Sequence, residues 1–287
     1  MIKKYIKCLI LLLCFGLTLL TVACKDEEEK DAENYYSVKN NSYCENVFAD
    51  IFKWINNAQL LMEDSLYKTS KSSYNTTLFN TDAIHISLTP NDTTTWPKIL
   101  TINFGSTNIM CLDGKNRKGK ITAAVTGKFN KQGTVITAIT SEYYVNNLYV
   151  EGTIKLICAG LNSAGHLLFR ENVTNAKIVT PDGVTYWECD RDRELISGKQ
   201  TPWPNIYDDI YKITGKSSGT DVTGRLYEAK IINPLKHYIN CKWMQEGSLE
   251  ITPDGLSIRS VDYGNNGCNP DAKITIADKT YNFIMIW

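Results

Sequence analysis

The sequence predicts a mainly β protein: an antiparallel meander forming a large sheet, sandwich or open barrel, with one N-terminal amphipathic helix packed on it. Three observations predict this. Turn signals recur about every 8–15 residues from Ile99 onward, the spacing of a meander. The runs between them alternate apolar and polar residues. A single stretch, residues 42–62, instead carries apolar residues at steps of three and four.

The chain opens with Lys3, Lys4 and Lys7, then an apolar run from Leu9 to Ala23 broken by Gly16, Thr18 and Thr21. A cationic start, a short apolar segment and small residues at its end form the layout of a secretory leader. About 15 apolar residues are too few to span a ~30 Å hydrocarbon core comfortably. Thr21-Val22-Ala23-Cys24 resembles a bacterial lipobox, which implies that Cys24 becomes the lipidated first residue of the mature chain. Several acyl chains, at about 0.8 kcal/mol per buried CH₂, hold a protein stably on a membrane. The acidic cluster Asp26-Glu27-Glu28-Glu29 resembles the surface-export signal of Bacteroidota lipoproteins, so the expected location is the outer membrane, facing outward.

The chain is expected to divide into a leader (1–23), a flexible tether (24–40), a helix-and-loop region (41–96) and an antiparallel β domain (97–287). In the helix, Cys44, Phe48, Ile51, Ile55, Ala58 and Met62 share one stripe, widened by Trp54 and Leu61, with Ser42 as its N-cap. The stripe predicts a helix docked on a sheet by that face. Residues 63–95 read as loop with a short strand near Ile84–Leu88.

In the β domain, Asn146-Asn147 separates Tyr143-Tyr144-Val145 from Leu148-Tyr149-Val150. Both asparagines tolerate positive φ, which predicts a tight hairpin. Pro181-Asp182-Gly183 and Pro253-Asp254-Gly255 are two further turns. Taking Asp254-Gly255 as a two-residue tip opposes Ile251 to Ile258, Glu250 to Arg259 and Cys241 to Cys268. A disulfide between Cys241 and Cys268 is therefore expected; closing such a loop is worth about 3–4 kcal/mol in the chain-entropy model. The pairing of Cys44, Cys111, Cys158 and Cys189 stays open. Fragments also recur: Ile102-Asn103-Phe104-Gly105 with Cys111 echoes Val261-Asp262-Tyr263-Gly264 with Cys268. They predict similar local geometry without a single repeat period.

Residues 97–287 resemble a family of Bacteroidota surface lipoproteins, β-rich and of unknown function. The resemblance rests on Pro97–Gly105, Cys111–Ile121, Tyr143–Asn146, Val150–Thr153, Asp208–Gly215, Pro234-Leu235 and Asp262-Tyr263-Gly264 with Cys268. The chain departs from that pattern with Asn103 in place of an Asp. The resemblance implies an outer-membrane lipoprotein and no particular activity.

Function classes narrow by elimination. The whole chain has 31 basic and 31 acidic residues, and losing the leader removes three lysines, so the mature chain carries −3. That balance gives no basic footprint for nucleic acid. His85, His166 and His237 lack metal spacing, and no CxxC occurs, so no metal is expected. No nucleophile elbow, phosphate loop or dinucleotide fingerprint is present, so no cofactor is expected either. Asp208 and Asp209, adjacent on an extended chain, point to opposite faces: one interior or turn acceptor, one solvated. The basic run Lys115, Arg117, Lys118, Lys120 reads as the surface ion-pair partner of Asp190-Arg191-Asp192-Arg193-Glu194, the alternative being a glycan or anion site there. Asp64-Ser65-Leu66 and Asp92-Thr93-Thr94 resemble O-glycosylation sites. The candidate ligand-binding residues are the aromatics Tyr143, Tyr144, Trp187, Trp203 and Tyr207, which form core if they face in and a glycan or protein platform if they face out. The resulting expectation is a membrane-anchored extracytoplasmic lipoprotein, held by lipidated Cys24, with a non-enzymatic binding or envelope-structural role. The alternative is a secreted-type carbohydrate-processing hydrolase.

Overall fold

A computed structural model describes residues 34–67, 83–198, 206–265, 267–285 and 287. Cys24, the leader and Trp203 lie outside the described residues. Among the described residues, one long helix, α1 (Tyr36–Tyr67), precedes fourteen strands. These are β1 (His85–Thr89), β2 (Lys98–Asn103), β3 (Ile109–Met110), β4 (Asn116–Val125), β5 (Val135–Val145), β6 (Leu148–Leu161) and β7 (Leu167–Thr180). The rest are β8 (Gly183–Ser197), β9 (Ile210–Thr220), β10 (Leu226–Tyr238), β11 (Glu246–Pro253), β12 (Arg259–Asp262), β13 (Asp271–Ile276) and β14 (Lys279–Ile284). They form one antiparallel sheet in chain order from β1 to β14, with β3 paired only to β4. The sheet is open, with β1 and β14 as its ends.

Period-two alternation sets which side of the sheet each residue faces. On β8, Thr185, Trp187, Cys189, Arg191 and Arg193 are buried while Tyr186, Glu188, Asp190 and Asp192 are exposed. The turn chemistry acts as read. Asn146 and Asn147 take φ of 48° and 66° between the paired Val145 and Leu148. Pro181-Asp182 joins the paired Thr180 and Gly183.

The β11–β12 hairpin departs by one residue. Ile251 opposes Arg259 and Glu250 opposes Ser260. The connection holds one residue more than a two-residue tip, and the slip turns Arg259 inward and leaves Ile258 exposed. An interior acceptor stabilises this register: Arg259 Nη2 donates to the Asn34 carbonyl at 2.9 Å. The Cys241–Cys268 disulfide forms nevertheless, with both cysteines outside the strands. Cys44, Cys111, Cys158 and Cys189 are free thiols, all buried.

The helix differs most from expectation. It begins at Tyr36, so Ser42 lies inside it, buried, and is not a cap. It is not docked by one face. Asn40, Asn41, Glu45, Asn46, Asp50, Lys53, Asn56, Asn57 and Gln59 are buried along with the apolar stripe. Its partners come from many strands. Phe48 stacks on Trp187 of β8 at 5.3 Å between ring centroids, and Phe52 meets Phe169 of β7 and Tyr211 of β9 edge-on. Trp54 meets Phe104, just past β2, and Gln59 donates to the Gly127 carbonyl at 3.1 Å. Gly152 of β6 leaves room for Phe48: a Cβ there would sit 3.1 Å from its ring. The sheet therefore curls around α1 and encloses it.

The outer face of the sheet carries Lys155, Arg170, Glu188, Asp190, Asp192, Lys216, Glu228 and Lys230, all exposed. Charges along mid-strand positions suit water, not hydrocarbon. Among the described residues no helix is long and apolar enough to cross a membrane.

Candidate functional site

Enclosing a polar helix requires the sheet to supply its partners. Glu45 and Asp50 lie five residues apart, about 140° around the helix axis. Each meets an arginine from a different wall. Arg191 of β8 pairs with Glu45 and donates to Ser217 Oγ at 3.0 Å. Arg117 of β4 binds both oxygens of Asp50, at 2.8 and 2.7 Å, and both of Asp113, at 2.8 and 2.6 Å. Lys115 adds a third contact to Asp50 at 2.9 Å. The two charged runs expected to pair on the surface do not meet. Lys115 and Arg117, like Arg191 and Arg193, point inward, where the helix carboxylates and Glu171 of β7 take them.

A turn positions this cluster. Cys111 N–H donates to the Lys115 carbonyl and Gly114 N–H to the Cys111 carbonyl, both at 2.9 Å, and Lys115 N–H donates to Asp113 Oδ1 at 3.2 Å. Beside it lies a pocket of about 190 Å³, lined by Asn46, Asp50 and Lys53 of α1, Asp113, Lys115, Tyr207, His237 of β10, Lys242 and Trp287. Lys115 Nζ stands 3.2 Å from the Trp287 ring centroid, and the indole N–H donates to the Lys242 carbonyl at 2.7 Å. Burial alone would raise the Asp50 carboxyl, but Arg117, Lys115 and Lys53 hold it well below the usual carboxylate range. Burial brings the Lys115 ammonium down to about 8 against the pull of Asp50. Burial, then Arg193, Lys53 and Lys115, keeps His237 neutral far below its ordinary value.

The second candidate is on the outer face. Two adjoining grooves, of about 800 and 890 Å³, cross β7 to β11 and share Glu188, Ser218, Glu228 and Thr252. Volumes of this size match small-ligand sites. Tyr186 and Leu226 are 52% and 63% exposed there, so an aromatic and an aliphatic side chain stand among carboxylates and hydroxyls.

The aromatics singled out from the sequence divide. Tyr143 and Trp187 are core, 0% and 3% exposed, and Trp187 Nε1 donates to Asn41 Oδ1 at 3.0 Å. Neither offers a platform, because alternation turns both toward the helix. Tyr144 faces outward, packed on Tyr149 at 5.0 Å with Lys118 Nζ 4.2 Å from its ring. Tyr207 packs on the core edge and lines the small pocket. Tyr186, the outward neighbour of Trp187, is the residue that alternation places in the groove.

Asp208 is exposed and Asp209 buried, one solvated and one interior as expected. The pair lies in a turn ahead of β9, closed by Asp209 N–H donating to the Ile206 carbonyl at 3.1 Å, and not on an extended strand. Asp209 lies near Tyr211, whose hydroxyl donates to it at 3.4 Å and accepts from Asn56 Nδ2 at 3.0 Å. Burial and the neighbouring Asp208 charge push the Asp209 carboxyl up to about 7. Among the described residues, no three His, Cys, Asp or Glu side chains converge as a metal ion would require. The helix residues Asn46, Asp50 and Lys53 escaped sequence reading, which treats polar helix positions as solvated. Their signal is compositional: five asparagines and Gln59 within Tyr36–Tyr67 are amides, where a water-facing helix usually carries lysine and glutamate.

No protein-family model, curated protein or solved structure matches the chain.

Proposed function

We propose that this chain is an extracytoplasmic lipoprotein of the bacterial outer membrane, anchored by lipidated Cys24 and facing outward, whose body binds a glycan without transforming it. The lipobox-like Thr21–Cys24, the acidic cluster after it and the resemblance to Bacteroidota lipoproteins support the anchoring. Ten residue steps separate Cys24 from Asn34, so the body sits within about 35 Å of the membrane surface even at full extension.

The observation that carries the binding role is the outer groove with Tyr186 and Leu226 exposed beside Glu188, Ser218, Thr220, Glu228 and Thr252. A sugar ring offers apolar C–H faces for the aromatic ring and hydroxyls for the carboxylates and threonines. A soluble form beginning at Lys25, screened against immobilised glycans, is expected to give saturable binding. Tyr186→Ala is expected to weaken it at least tenfold, a loss of about 1.4 kcal/mol. Binding unaffected by that change, or absent across the screen, defeats the groove assignment. Intact-mass analysis of the membrane-extracted chain tests the anchor separately: an unacylated Cys24 with the leader still attached defeats it.

One feature favours the hydrolase reading. Glu188 and Asp190 stand at alternate positions on the same outward face of β8, side by side as the paired carboxylates of a glycosidase must be. Release of reducing ends from a bound glycan, abolished by Glu188→Gln, would convert the binding assignment into a catalytic one.

A further inference from the structure

The small pocket against α1 is lined by two buried side-chain nitrogens without a partner. Asn46 Nδ2 and His237 Nδ1 both have no partner among the described residues. Both residues line the pocket and are buried, 2% and 4% exposed. They come from opposite walls, one from the helix and one from β10. An amide nitrogen can only donate, so Asn46 asks for an acceptor.

The charges point the same way. Lys53, Lys115, Arg117 and Lys242 bring four positive charges to the pocket and its wall, against the carboxylates of Asp50 and Asp113. Both carboxylates are already committed, each with its two oxygens on the Arg117 fork. They are also the two negative groups that act on Lys53, which is 7% exposed. Three of these cations, Lys53, Lys115 and Arg117, are buried against two carboxylates, so one buried positive charge is left over, and Lys242 at the exposed rim adds a second. A buried cation without a counter-charge is costly. Water would satisfy the orphan nitrogens but not the charge.

We infer that this pocket is a binding site for a small oxyanion, a phosphate or short carboxylate, held by Lys53, Asn46 and His237 with Lys242 at the rim. The neutral histidine serves by donating from Nδ1, which fixes its tautomer. A volume of about 190 Å³ corresponds to about six water molecules, so the site takes a free ion or the end of a slim ligand and leaves the glycan groove independent of it.

The test is thermal unfolding and titration calorimetry of the soluble form from Lys25, in Tris-chloride, with inorganic phosphate, sulfate and succinate added at matched ionic strength. At least one oxyanion is expected to raise the melting temperature saturably and bind with unit stoichiometry, while sodium chloride does neither. Whether phosphate or succinate wins separates a tetrahedral ion from a carboxylate. Lys53→Met is expected to weaken binding at least tenfold. Lys242→Ala, at the exposed rim where the fold is not at stake, is expected to weaken it severalfold with an unchanged circular dichroism spectrum. Equal stabilisation by all salts, or oxyanion binding that Lys242→Ala and Lys53→Met both leave intact, overturns the inference.

Discussion

Asp209 shows how one side chain can act against the fold that holds it. Its carboxyl, buried beside Tyr211 and next to the charged Asp208, is raised to about 7, well above the ordinary carboxylate range. The folded protein therefore keeps a proton that the unfolded chain releases. Between about pH 4 and pH 7 the native state binds more protons, and this group makes stability fall as pH rises. Asp209→Asn removes the ionisation and keeps an acceptor for the tyrosine hydroxyl. The variant is expected to match the parent in urea melts at pH 4 and to exceed it at pH 8, by on the order of 2–4 kcal/mol. Equal curves at pH 8 would show that water reaches this carboxylate. Asp50 has the opposite sign: held well below the usual range, it adds stability above its unfolded value and loses it only as pH falls through the folded one.

At the scale of elements, the echoed fragments turn out to be the same device built twice. After β2, Gly105 N–H donates to Asn103 Oδ1 at 2.9 Å; after β12, Gly264 N–H donates to Asp262 Oδ1 at 2.8 Å. The aromatic between them, Phe104 or Tyr263, is buried and donates its backbone N–H to a glycine on the neighbouring strand, Gly119 or Gly247. Each of these glycines has positive φ, 87° and 97°, and each meets the backbone across the ladder. A Cβ on Gly119 would lie 2.7 Å from Tyr143 Cα and closer still to the Glu142 carbonyl. Gly119→Ala thus combines a left-handed backbone with a backbone clash and is expected to cost at least 2 kcal/mol, roughly the upper range for strained positions. Equilibrium unfolding of the variant checks this; a cost under about 0.5 kcal/mol would mean the bulge can relax. Asn103 shows that the amide oxygen serves this turn as well as a carboxylate does.

For the whole molecule, the sheet was readable and its curl was not. Asn146-Asn147, Pro181-Asp182 and the alternation on β8 announce themselves locally, because turn geometry and strand pleat are short-range properties. What Asp50 touches depends on Arg117, 67 residues away, and what Glu45 touches depends on Arg191, 146 residues away. No local pattern encodes either partner. For the same reason the sequence points to buried Trp187 and not to its groove-facing neighbour Tyr186: aromatic clustering is visible in sequence, but the side of the sheet each ring faces is set by register. The register of β11–β12 slipped for a related cause, since the rule that apolar residues point inward assigned Ile258 the place that Arg259 holds. Enclosure also fixes the redox behaviour of the chain. The soluble form from Lys25 is expected to show no free thiol to Ellman's reagent when native and four when denatured without reductant, because Cys44, Cys111, Cys158 and Cys189 are buried and Cys241 is bonded to Cys268. Six in denaturant would mean the bridge is absent.

A helix made first and walled in last also dictates when the chain becomes a protein. Residues Tyr36–Tyr67 leave the ribosome long before β8, β9 and β12, whose side chains neutralise and cover them. Until those strands arrive, Glu45 and Asp50 have only water for company and the segment has no reason to settle. Maturation must then be a single late event, slow as contacts across such sequence distances are. A chain stopped short of Arg259 would be left as an unclosed wrapper around an unshielded axis.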